Sequence, residues 1–324
     1  MAELCYTADM RKRFLGKTGL MVSELGLGTW GLSGDGYAPP TDADPDAVID
    51  RALALGITLF DTADSYANGA MEKRLGERLK DHPDAVLVTK LGTLRERSPA
   101  HKSFAPAFIK ESFERSRDRI QRSALDVVLL HNPSERSLER GEATNVLREL
   151  KESGAIRAWG VSVEGVGAVR AALKQGAEVV ELAFNVFHNR MVRELGHEMQ
   201  DLGVGVLARS VLAHGLLCGQ WSLDKEFAST DHRSQRWTSD ELKRRIMNLN
   251  ALRPCVDNGA VATLRAAALR FVLASDVVTT AVLGPRSALQ LDQLVREAGR
   301  EPPYLHPQAV EALYLRLDAM RVWG

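Results

Sequence analysis

Cysteine is scarce in this chain. The three in 324 residues, Cys5, Cys218 and Cys255, lie far apart, and no CxxC occurs. Neither a structural zinc site nor a redox pair is therefore suggested, and the low, odd count fits a reducing cytoplasm. Net charge is also missing, because 42 Lys plus Arg balance 42 Asp plus Glu. That argues against a protein whose main task is to coat nucleic acid or an acidic membrane, and leaves room for a local cationic pocket. No run of ~18 apolar residues reads as a membrane span. The opening stretch MAELCYTADMRKR lacks the apolar segment of a signal peptide.

What is present is ordinary for a soluble globular enzyme: 45% apolar and 26% charged residues. At ~150 residues per domain the length corresponds to two domains, or to a single α/β barrel. Such a chain buries a sizeable core without a disulfide or metal staple. Eight short apolar, β-branched runs recur: 25–30, 58–63, 85–91, 126–131, 158–163, 179–185, 203–210 and 278–284. Near-continuous apolar runs read as strands covered on both faces, hence a parallel sheet. Helical patterning falls at 105–121, 140–153, 166–174, 192–200 and 259–274, and Asp44 can cap a helix that begins at Pro45 and stops at Gly56. This alternation predicts a (β/α)8 TIM barrel, with a doubly wound sheet as the rival.

The barrel is expected as one domain over 11–324, after a short extension at 1–10. Residues 11–24 read as a hairpin, with Thr18-Gly19 near the turn, able to plug the barrel bottom. Residues 307–320 read as a final helix. The long polar stretch 219–258, between strands seven and eight, reads as a loop covering the site. Gly26-Leu-Gly28-Thr-Trp-Gly31 is a literal GxGxxG, but that motif needs a helix opening within the glycines. LSGDGYAPPTD follows instead, so this is read as a flexible loop.

A barrel's functional groups sit at the C-terminal ends of its strands. Asp61 ends the second strand, with Tyr66 five residues on. Lys90 ends the third and His131 the fourth. Taken singly, each has a plain structural explanation: an Asp caps a loop, a Tyr packs, a His sits satisfied in a core. A lysine in a buried run is harder to explain that way. Together they can deliver a proton to a carbonyl oxygen. A tyrosine with a pKa of ~10 is a poor acid at neutral pH, and a lysine cation beside it lowers that value. Asp61 can hold Lys90, and His131 can bond the substrate oxygen or relay a proton. No side chain carries hydride, so a redox cofactor must supply it.

The segments LGLGTW, FDTADSY, LVTKLG, VVLLHNP, WGVSV and LGPRS…Q resemble the aldo-keto reductases, in a bacterial-type branch, from residue 11 to ~300. The resemblance implies a (β/α)8 barrel that binds NADPH extended, without a Rossmann domain. It implies a catalytic tetrad of Asp61, Tyr66, Lys90 and His131, with Tyr66 as general acid in reducing an aldehyde or ketone. Implied cofactor contacts are Thr29, Trp30, Asp61, Ser162, Glu181, Arg209, Ser210, Leu212, Gly215, Gly284, Arg286 and Gln290. A glycine-containing strand end feeding a helix N-terminus suits a phosphate, and Arg286 suits the 2′-phosphate in forked geometry. The chain departs from the family pattern at Val163, Glu181, Arg209 and Leu294, where Asn, Gln, an aromatic and Asn or Glu are usual. Trp30 and the loops at 32–40 and 219–258 are expected to line the substrate pocket.

Two other readings compete: an NADPH-binding redox-sensing or regulatory subunit with weak catalysis, and a metal-dependent sugar enzyme. Strand ends five to eight offer Ser162, Asn185, Ser210 and Gly284, a poor ligand set, so no metal is expected. The expected partner is a small carbonyl compound, with no nucleic acid and no membrane. Monomer and homo-oligomer both remain open.

Overall fold

The computed structural model describes residues 10–37, 44–94, 101–299 and 301–320. Cys5, most of the 1–10 extension, the 38–40 end of the first pocket loop and the last four residues lie outside these. The chain opens with a hairpin of β1 (Lys12–Phe14) and β2 (Met21–Ser23), then enters the barrel at β3 (Leu25–Gly28). There follow α1 (Pro45–Ala54), β4 (Leu59–Asp61), α2 (Ala70–Leu79) and β5 (Val86–Leu91). A small hairpin, β6 (Thr93–Leu94) and β7 (His101–Lys102), precedes α3 (Pro106–Ile120) and β8 (Leu125–His131). Next come α4 (Glu135–Arg140), α5 (Glu142–Glu152), β9 (Ile156–Val163), α6 (Val166–Lys174), β10 (Val179–Ala183), α7 (Arg190–Asp201) and β11 (Gly205–Arg209). The long segment after β11 carries α8 (Ser239–Asn248) and α9 (Arg253–Asp257) before α10 (Leu264–Leu273), β12 (Thr280–Leu283), α11 (Ala288–Ala298) and α12 (Pro307–Ala319).

Strands β3, β4, β5, β8, β9, β10, β11 and β12 close a parallel barrel in that order, with β12 pairing back onto β3. All eight expected strands are there, and the doubly wound alternative is excluded by closure. Asp44 caps α1 by accepting from the backbone N–H groups of Asp46 and Ala47 at 3.0 and 3.1 Å. No α-helix opens on the GxGxxG; its first three residues lie in β3, and a three-residue 3₁₀ turn, Trp30–Leu32, begins at its end.

The hairpin closes the barrel floor. Leu15, Leu20 and Val22 pack into one buried cluster with Leu59, Val86, Val88, Val127, Leu129, Ala158, Val179, Leu207 and Val282. Gly16 makes the approach possible: its φ is +55°, and a Cβ there would lie 2.3 Å from the Gly203 carbonyl oxygen. The residues of opposite parity, such as Leu87, Leu91, Val128 and Leu130, pack outward beneath the helices in a second, larger core. No helix among the described residues is long and apolar enough to cross a membrane.

Candidate active site

Side chains alternate across a strand, so every second residue of a barrel strand faces the lumen. In β5, Val86 and Val88 belong to the lumen cluster, which places Lys90 inward too. The same parity carries Leu59 to Asp61, Leu129 to His131, Ala158 to Ser162, Val179 to Glu181 and Leu207 to Arg209. Each of these six strands thus begins apolar over the hairpin and ends polar at the C-terminal mouth. Register aligns the ends: His131 pairs across to Ser162, and Ser162 to Glu181.

Lys90 is fully buried. Its Nζ donates to Asp61 Oδ2 and, at 3.0 Å, to the carbonyl of Thr62. Glu181 Oε2 lies 3.5 Å away on the other side. Burial opposes the ammonium charge, but Asp61 and Glu181 outweigh it and hold Lys90 above its ordinary value. Burial and the charge of Glu181 push Asp61 upward, against the pull of Lys90. Glu181 Oε2 is buried and has no hydrogen-bond partner among the described residues.

Tyr66 stands on a tight turn, Tyr66–Gly69, whose next three residues have φ of 48°, 52° and 85°. Such backbone is held by its surroundings. The Ala67 N–H donates to Asp35 Oδ2 at 2.7 Å. A Cβ at Gly69 would sit 2.5 Å from Arg119 Nε. Arg119 bonds Glu72, and Glu72 accepts from Thr89, the neighbour of Lys90 on the outer face of β5. The Tyr66 ring centroid is 5.3 Å from Lys90 Nζ and 6.2 Å from the His131 ring, nearly perpendicular to it. Burial pushes the phenol up to about 12; Lys90 pulls it down but does not prevail. Lys90 acts in the expected direction, and burial, which the sequence does not show, outweighs it. His131 Nδ1 lies 3.4 Å from Thr93 Oγ1, which accepts from Lys102 Nζ at 2.7 Å.

These groups open on a cavity of about 690 Å³. Of the sequence-predicted cofactor contacts, Trp30, Ser162, Glu181, Arg209, Ser210, Leu212, Gly215, Gly284, Arg286 and Gln290 line it, as does the tetrad. Thr29 does not. It is buried, and its N–H and hydroxyl both donate to the Asp61 carbonyl at 2.9 Å, so it fixes the β3–β4 ends from beneath. Val163 packs outward in the helix-side core, as its parity requires. Leu294 does reach the cavity. Ser210 has φ of +55°, and the Asn185 side chain secures it by donating to its carbonyl at 2.8 Å. Ahead of α11, the Arg286 N–H donates to Gln290 Oε1 at 2.9 Å, and Ser287 caps the helix. Burial and the nearby Arg233 pull the Arg286 guanidinium below its usual value, an environment suited to an anion.

The two loops expected at the pocket supply much of its outer wall, through residues the sequence did not single out. Tyr37, His214, Trp221, Arg233, Arg236 and Arg265 also line the cavity. Arg233 pairs with Asp231 at 2.6 Å and lies 4.9 Å from the Tyr37 ring centroid. Arg265 pairs with Glu297 at 2.7 Å, and Arg209 with Glu164 at 3.0 Å. Of the 219–258 stretch, Gln220, Trp221, Arg233 and Arg236 line the cavity as expected, whereas its second half forms α8 and α9 rather than a loop.

The buried orphan oxygen of Glu181, the arginine-rich wall and the capped helix start suit a long ligand that is anionic at one end and polar at the other. A parallel barrel with ionisable groups gathered at its C-terminal mouth has them where barrel enzymes keep their active sites. The sequence model of the Aldo/keto reductase family matches residues 24–301, and the chain belongs to that family of oxidoreductases, which uses nicotinamide cofactors. Pyridoxal 4-dehydrogenase of Microbacterium luteolum is 28% identical, over 88% of this chain and 92% of that protein. The NADH-specific methylglyoxal reductase of Escherichia coli K12 is 32% identical, over 66% of this chain and 71% of that one. The holo form of an aldo-keto reductase from Bacillus halodurans superposes with a TM-score of 0.78 at 27% identity, covering 94% of this chain and 96% of that one.

Proposed function

We propose that the protein interconverts an aldehyde or ketone and its alcohol, with Tyr66 exchanging the proton and NADPH as the preferred cofactor. The observation that carries this reading is the placement of Tyr66 beside the buried Lys90–Asp61 pair and across from His131, all facing one cavity. When bound, the nicotinamide supplies or takes up hydride at the carbonyl carbon. The chain's own residues do the rest. Tyr66, protonated at rest, donates to the carbonyl oxygen; Lys90 stabilises the phenolate that results. Asp61 and the Thr62 carbonyl hold Lys90 in place. His131 orients the substrate oxygen. Ser162 and Glu181 offer a donor and an acceptor to the cofactor's amide, and Arg286 its guanidinium to the 2′-phosphate.

The relatives include a dehydrogenase and an NADH-specific reductase, so family membership fixes neither direction nor cofactor. Preference for NADPH rests on Arg286. The test is Tyr66→Phe, assayed with a panel of aromatic, sugar and dicarbonyl substrates against both cofactors. Turnover should fall about 10²–10⁴-fold while cofactor binding survives. Turnover near wild type removes Tyr66 from the role, and equal rates of the unaltered protein with NADH remove Arg286 from its own.

A further inference from the structure

We propose that Glu181 makes this site discriminate between the two oxidation states of its cofactor, holding the oxidised form more tightly than the reduced one. This rests on the reading above that a nicotinamide ring reacts beside Tyr66.

The carbon that exchanges hydride and the oxygen that exchanges a proton belong to one carbonyl group. The reactive ring must therefore end within a carbonyl's reach of Tyr66. Lys90 Nζ is 5.3 Å from the Tyr66 ring centroid, and Glu181 Oε2 is 3.5 Å from that Nζ. Glu181 thus stands at the reactive end of the cavity, on the lumen face next to Ser162 in register.

One ammonium, Lys90, is shared by two carboxyl groups: it donates to Asp61, which burial and Glu181 push toward the neutral acid, and it lies 3.5 Å from Glu181 Oε2. Arg209, the next cation, is paired with Glu164 at 3.0 Å. Lys90 is directed mainly at Asp61 and Thr62, and Glu181 Oε2 is left without a hydrogen bond. A buried carboxylate with no donor is costly unless a ligand compensates it.

Loss of hydride converts a neutral dihydropyridine ring into a cation. A carboxylate in a poorly solvated site attracts that cation and has little charge interaction with the neutral ring. Removing its charge should therefore weaken one form selectively. The consequence is directional. Alcohol oxidation starts from the tightly held form, whereas carbonyl reduction ends on it and must wait for its release.

The test is equilibrium binding in the absence of substrate. Dissociation constants for NADP⁺ and NADPH are measured by quenching of tryptophan fluorescence, for the unaltered protein and for Glu181→Gln, with thermal melts confirming that the variant is folded. Glu181→Gln should weaken NADP⁺ at least about tenfold and move NADPH by less than about threefold. Parallel changes for both forms, or no change, overturn the proposal. Glu181→Met serves if the glutamine variant does not fold, with the same two outcomes. Ser162→Ala is the neutral comparison and should affect both forms alike. If the unaltered protein binds neither form, the underlying reading of the site fails, and this proposal with it.

Discussion

The two ends of the barrel lumen are made by the same strands with the same alternation, yet they solve opposite problems. At the floor, Leu15, Leu20 and Val22 of the hairpin press on the apolar starts of the strands. The buried carboxylate nearby has a donor on each oxygen. Glu24 receives Arg13 on one oxygen and the Tyr304 hydroxyl on the other, and Arg13 also donates to the Val278 carbonyl at 2.6 Å. At the mouth, the inward positions are Asp61, Lys90, His131, Ser162, Glu181 and Arg209, and one buried carboxylate oxygen has no donor. Polar groups bonded to the last lone pair hold a structure together. A polar group left one partner short, in a cavity, is placed for a ligand.

Breaking the mouth should give the largest effect. Lys90→Met leaves Asp61 and Glu181 buried without their cation, a loss of about 3–5 kcal/mol, and takes with it the group that stabilises the Tyr66 phenolate. Urea unfolding should show the destabilisation, and kcat should fall at least about 10²-fold. A stable, active variant would mean that the carboxylates do not depend on Lys90.

The floor should respond differently. Leu20→Ala opens a cavity in the hairpin cluster, at a cost of about 2–5 kcal/mol. Because the site lies at the far end of the strands, kcat should stay within about twofold below the melting range. A matching loss of kcat would show that the two ends are coupled.

A smaller effect sharpens the contrast through pH. His214 lines the mouth, and burial, with Arg236 next, holds it down to about 3; His232, also by burial, is held at about 4. Unfolded, both take up protons near pH 6.5, while the folded protein does not. The contribution of these two histidines to stability should therefore be complete above about pH 6.5 and decline as pH falls from there toward 3. His214→Asn should flatten that decline in melting temperature. An unchanged slope would assign the acid sensitivity elsewhere.

Much of the fold was legible because period-two alternation and apolar runs are local properties. The strands, the hairpin, the α1 cap and the final helix all followed from them. Helix α2 did not, although Met71, Leu75 and Leu79 make an apolar stripe. Gly76 sits inside it and reads as a weak point. Its reason is tertiary: α3 approaches so closely that a Cβ at Gly76 would lie 2.4 Å from the Ile120 carbonyl oxygen. That Asp61, Lys90 and His131 meet was legible from strand ends, and the loops 32–40 and 219–258 were expected at the pocket; which of their residues line it, Tyr37, Trp221 and Arg233 among them, was not, because loop residues carry no periodicity.

The sequence by itself determined which residues face the lumen and which of those are ionisable. Only the tertiary structure decided how their charges combine. Barrel closure brings Glu181, three barrel strands from Lys90, to within 3.5 Å of it. The protein around Tyr66 then sets its proton affinity. Lys90, read from sequence, argues for a lowered phenol, but desolvation is a property of the packed surroundings and pushes it up to about 12. Spacing along the chain records neither distance nor dielectric, and those two quantities govern the chemistry of this site.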